Sequence, residues 1–149
     1  MTLIELARKF HYLREATKQN DGQRVEAVQK WGGGKKGDSW CAFWATMVLD
    51  IFYEGKSPIE RTGSCDVILQ QAEKQGWLQE LPHVGDLYLY LNTPTDAHHV
   101  GIVTDVNADG FMGISGNTSE DGLSSNGDRV AERALKLKPS KTVFVRYPR

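Results

Sequence analysis

The sequence predicts an α+β fold, with helices in the first half and an antiparallel sheet in the second. Apolar residues recur at helical spacing up to Gly76. After Gly85 the pattern turns to β-prone runs such as Leu87-Tyr88-Leu89-Tyr90 and His99 to Val106. Between two of these runs, Asn107-Ala108-Asp109-Gly110 carries the residues of a tight hairpin. Helices collected before strands give the α+β layout rather than an alternating parallel one.

The helices follow in order. Thr2 with Glu5 three residues later is a capping box, and Leu3, Leu6, Ala7, Phe10, Leu13 and Arg14 continue at helical spacing. A first helix is expected to run until Asn20-Asp21-Gly22 ends it. A second is expected over Gln23 to Trp31, with Val25, Val28 and Trp31 inward. Gly32-Gly33-Gly34-Lys35-Lys36-Gly37 has no periodicity and is expected to be a flexible loop. Asp38-Ser39 supplies N-cap chemistry for a third helix, about Trp40 to Tyr53. Its Phe43, Trp44, Met47, Val48, Ile51 and Phe52 make it apolar nearly all round, the mark of a central buried helix. Ser64 is the expected cap of a fourth helix over Cys65 to Gln75, stopped by Gly76. The strands expected are Leu87 to Tyr90, His99 to Val106, Phe111 to Ile114, Arg129 to Leu135 and Thr142 to Val145, with a polar loop from Gly116 to Gly127. No internal repeat or linker interrupts the pattern, and residues 1–149 are expected to form a single domain.

Composition excludes several classes. The 149 residues are 40% hydrophobic and 25% charged, the balance of a globular chain that buries a core. A net charge of −1, with acids and bases intermixed, gives no basic face for nucleic acid. No run is long and apolar enough to span a bilayer, so no membrane insertion is expected. The first residues lack the charge order and apolar core of a secretory signal, so synthesis in the cytoplasm is expected.

The two cysteines, Cys41 and Cys65, are too few for a disulfide scaffold. Cys65 reads as a buried free thiol. Cys41 falls in the first turn of the central helix, where the helix dipole favours a thiolate and free backbone N–H groups can hold an oxyanion. A base for it must come from His11, His83, His98 or His99. His11 lies in the first helix and His83 in a loop. His98 and His99 are adjacent at a strand start and point to opposite faces, and alternation alone does not choose between them. A zinc site needs more ligands at closer spacing than are present, so no metal or other cofactor is expected. Asn117, just after the return strand, can orient a histidine if the two strands are neighbours; otherwise Gly116-Asn117-Thr118 is merely a turn.

These residues resemble the cysteine, histidine-dependent amidohydrolase/peptidase (CHAP) domains, papain-like α+β cell-wall hydrolases related to the NlpC-type peptidases. The segments that carry the resemblance are Asp38-Ser39-Trp40-Cys41-Ala42-Phe43-Trp44, Val84-Gly85-Asp86-Leu87, His99-Val100-Gly101-Ile102-Val103 and Ile114-Ser115-Gly116-Asn117-Thr118-Ser119. They follow the family's order from Asp38 to Ser119. The resemblance implies Cys41 as nucleophile, His99 rather than His98 as base, and Asn117 as the group that orients it. Trp40 and Ser115 are the candidate substrate contacts. One position departs from the pattern: Ser115 stands where family members often carry a catalytic glutamate, leaving Asp96 or Asp105 as the candidate acids to substitute.

The implied activity is that of a cysteine peptidase or amidase acting on a peptidoglycan peptide through a thioester intermediate. Such an enzyme acts in the periplasm or at the cell wall after non-classical export, as a phage lysin or a secreted antibacterial effector. An effector would have an immunity protein as partner. Two alternatives stand beside this. One is a weakened domain that binds wall fragments or a partner. The other is a cysteine amidase for a non-wall amide.

Overall fold

A computed structural model describes residues 1–118 and 127–149. Among the described residues four helices precede all the strands: α1 (Leu3–Arg8), α2 (Gln23–Trp31), α3 (Cys41–Phe52) and α4 (Cys65–Gln75). The strands are β1 (Leu78–Gln79), β2 (Leu87–Thr93), β3 (Asp96–Val106), β4 (Gly110–Thr118), β5 (Arg129–Lys136) and β6 (Thr142–Val145). They form one antiparallel sheet in the order β1-β6-β2-β3-β4-β5. The α+β class expected from the sequence is therefore the class observed.

Helix α3 is the centre of the packing. Every residue from Cys41 to Leu49 is buried, and the helix lies against β3 and β4 on one side and α1 and α2 on the other. Leu87, Leu89, Val100, Ile102 and Ile114 face this helical layer. The opposite face of the sheet carries a smaller cluster of Tyr88, Val103, Phe111 and Phe144. The period-two alternation of side chains separates the two sets along each strand.

Several local expectations give way to tertiary packing. Helix α1 ends at Arg8, not near Asn20, because the chain turns away to pair with β5. Val130 N–H donates to Leu13 O at 3.1 Å, Glu15 N–H donates to Asp128 O at 2.8 Å, and Arg14 bridges Arg129. Helix α3 has no side-chain cap; its N-cap is Trp40, while Asp38 instead accepts from Lys35 N–H at 2.9 Å. Ile51, one of the apolar residues that marked this helix as buried, is 47% exposed. Trp31 is only half-buried. The glycine-rich segment is shaped by Phe43: a Cβ on Gly32 or Gly34 would meet its ring at 2.1 or 2.5 Å, and so would one on Gly63 at 2.2 Å. Strand β4 continues through Thr118, so Gly116 to Thr118 is strand rather than loop; residues 119–126 of the expected loop, Ser119 included, lie outside the described residues. Strand β1 was not expected at all.

The chain end is tied to the sheet through Asp86. Its carboxylate is fully buried and is held by Arg146 at 2.9 Å, Arg149 at 2.8 Å and the His83 N–H at 2.8 Å. The Gly-Asp pair of the sequence motif thus anchors the last residues beside the start of β2. Removing one partner of a buried ion pair leaves the other charges uncompensated. Asp86→Ala should lower stability by about 3 kcal/mol or more, read as a lower urea midpoint with an unchanged slope. A loss below about 1 kcal/mol would show the cluster to be solvated.

Candidate active site

The site assembles where the first turn of α3 meets β3. Cys41 is the first residue of α3 and is 4% exposed. Trp40 sets this position. Its indole is fully buried, donates to Glu15 Oε2 at 2.7 Å, and lies so close to β4 that a Cβ on Gly116 would meet the ring at 2.7 Å. Burial leaves Trp40 no face for a substrate, so its place is in the wall of the core, against the expectation of a substrate contact.

His99 is brought to Cys41 by the β2–β3 hairpin, and the strand separates the adjacent histidines as alternation requires. His99 is 1% exposed, whereas His98 is exposed. Tyr90, its register partner on β2, stacks on the His99 ring at 5.5 Å between centroids and 27° between planes. His99 Nε2 lies 3.0 Å from Ser115 Oγ, and among the described residues its buried Nδ1 has no hydrogen-bond partner.

Cys65 joins the pair. It is the first residue of α4, capped by the Ser64 side chain, and Asp66 ties that helix start to β3 by accepting from Ala97 N–H at 2.7 Å. The two sulfurs, both free thiols, are 3.7 Å apart. A hydrogen bond from Cys65 pulls the Cys41 thiol well below the ordinary range. Burial opposes this, and the bond and charge of His99 and the Val100 N–H assist it. Cys65 moves the opposite way: as donor to Cys41, and by burial, its own thiol is driven far up. One sulfur is set up as a thiolate and the other as its donor.

The remaining expected residues are placed as follows. Asn117 is buried and adopts a left-handed backbone, φ 54°, at an irregularity in the β4–β5 pairing. Among the described residues its Oδ1 has no hydrogen-bond partner, and the side chain found at His99 Nε2 is that of Ser115, expected to contact substrate, rather than Asn117. Asn tolerates left-handed backbone, which explains its fitness at the irregularity. Neither alternative acid is at the imidazole: Asp96 accepts from Asn92 at 3.1 Å, and Asp105 accepts from the Val106 N–H. Among the described residues no carboxylate hydrogen-bonds His99, and no three potential metal ligands converge. No helix among them is long and apolar enough to cross a membrane.

Sequence reasoning missed the roles of Cys65, Tyr90 and Ser115 around His99. The signal for Tyr90 was present, since Tyr88 and Tyr90 share one face of a strand two residues apart. Cys65 carried only the same helix-start position as Cys41.

The thiol geometry predicts unequal reactivity. Iodoacetamide near neutral pH should alkylate Cys41 at least about tenfold faster than Cys65. The Cys41 rate should level off below the usual thiol range of about pH 8.5, because its thiolate is already formed there. Peptide mapping of partly labelled protein gives both rates; equal slow labelling would remove the activated thiolate.

Compared with protein-family models, curated proteins and solved structures, the chain matches none.

Proposed function

We propose that this protein is a cysteine hydrolase of amide bonds, built on a papain-like arrangement, and that its substrate is the peptide part of bacterial cell wall. The observation that carries the chemistry is the Cys41–His99 pair: a depressed thiol at a helix start beside a buried imidazole whose second nitrogen is held. The substrate class is carried by the resemblance of the segments around Cys41, Asp86, His99 and Asn117 to CHAP domains.

In this mechanism the Cys41 thiolate attacks the amide carbonyl. Backbone N–H groups at the start of α3, unpaired within the helix, receive the developing oxyanion. His99 delivers its proton to the leaving amine as the C–N bond breaks, leaving a thioester. The neutral imidazole then takes a proton from water as the hydroxide attacks. The C–S bond breaks, a carboxylic acid departs, and the thiolate–imidazolium pair returns.

A second reading, a domain that binds wall fragments or a partner without cleaving, draws on Ser115. A neutral hydroxyl accepting from an imidazolium makes a charge-assisted bond but lacks the opposite charge that a carboxylate would add.

Purified peptidoglycan sacculi separate the two readings. Wild type should release peptide or glycan fragments identifiable by mass spectrometry, and Cys41→Ala should lose at least about a thousandfold in rate. Equal release by both proteins would end the cysteine mechanism. No release by either, with wall fragments retained in a pull-down, would favour the binding reading.

A further inference from the structure

We propose that Tyr88 is a positioning residue of this site. Together with Ser115 it stands in the place of an acid, in a row that runs from His99 Nε2 through Ser115 Oγ toward Tyr88 Oη. The inference rests on the reading of Cys41 as nucleophile and His99 as base.

The sheet is built around the Tyr88 ring. Tyr88 is 2% exposed on β2, opposite Gly101 of β3. A Cβ on Gly101 would meet the ring at 2.4 Å, and one on Gly113 of β4 at 2.5 Å. Two neighbouring strands therefore both carry glycine where the ring crosses them. His99 lies two residues before Gly101, and Ser115 two after Gly113, on the same face of the sheet. A Cβ on Gly101 would meet the Tyr88 hydroxyl itself at 2.4 Å, so the hydroxyl lies over β3, between β2 and the strand that carries Ser115; Ser115 in turn acts on the phenol as a hydrogen-bonding neighbour, and Ser115 Oγ is 3.0 Å from His99 Nε2. Burial drives the Tyr88 phenol up, so it stays neutral.

The row has a chemical purpose. A serine hydroxyl alone can either accept from Nε2–H or rotate and donate to a bare Nε2. The second choice puts the imidazole proton on Nδ1, facing the thiol, where it removes the base. If Ser115 O–H donates to Tyr88 Oη, the Ser115 lone pairs are turned to Nε2. The proton is then fixed on Nε2, and Nδ1 is the basic nitrogen. A carboxylate enforces the same tautomer by having no proton to give; here two hydroxyls enforce it together.

Tyr88→Phe tests this, since it keeps the ring that packs on Gly101 and Gly113 and removes only the oxygen. Two readouts need no substrate: the pH dependence of Cys41 alkylation by iodoacetamide, and the nitrogen-15 shifts of His99, which report its tautomer. The variant should alkylate about fivefold more slowly near neutral pH, with its midpoint moved up and the His99 signals moved toward a mixture of tautomers. Ser115→Ala should act in the same direction, and the double variant should be no worse than Ser115→Ala alone. Unchanged alkylation and unchanged His99 signals in Tyr88→Phe would overturn the proposal, as would effects of the two substitutions that simply multiply. Should Tyr88→Phe not fold, 3-fluorotyrosine placed at position 88 keeps both ring and hydroxyl but weakens the oxygen as an acceptor. It should shift the alkylation midpoint upward, and no shift would count against the row. Both readouts are taken on free protein, so failure to cleave sacculi would count against the substrate reading and leave Tyr88 to be judged by these measurements.

Discussion

The burial of helix α3 between the sheet and the other helices is the constraint on which the rest depends. Trp40 and Trp44 are fully enclosed, and each large apolar side chain removed from water contributes about 1.5–3 kcal/mol. Because the helix is apolar on all sides, it has no stable place except the middle, and its start is then set by Trp40 wedged against Gly116. That wedge puts the first-turn residue, Cys41, against β3. A reactive thiol positioned by a packed core cannot drift, since dense interiors leave no room for it.

Around that point the electrostatics are those of a dry site. Cys41 and His99 are almost wholly covered, so each hydrogen bond counts for more than it would in water. The thiolate is supported from two sides, by a neighbouring thiol and by an imidazole, and burial works against it. Three elements must converge for this: the start of α3, the start of α4 and the middle of β3. The Asp66 to Ala97 bond is what holds the second to the third. The same low dielectric gives weight to the group at Nε2, where a neutral hydroxyl supports a charged imidazole less than a carboxylate would.

Three residues of the resembling segments have a mainly architectural role. Asp86 neutralises two arginines of the chain end, and Gly101 makes room for a tyrosine ring. Asn117 supplies a left-handed backbone at the irregularity of β4. Motif residues thus serve the framework that brings Cys41 to His99.

The bounds of α2 and α4, the last strand, the hairpin at Asn107 to Gly110 and the centrality of α3 were legible in the sequence. Each rests on a local rule: capping, helical spacing, turn chemistry or an all-apolar helix. Cys41 at a helix start was legible for the same reason. The premature end of α1 was not, because it is compelled by pairing with β5, more than a hundred residues away. Nor was the contact of Ser115 with His99, the approach of Cys65 to Cys41, or the enclosure of Trp40. The sequence by itself determined which segments are helix or strand and which residues can do chemistry, because those follow from neighbours along the chain. Only the tertiary structure decided which side chains meet, because strand register and the packing of one buried helix set distances that local rules do not contain.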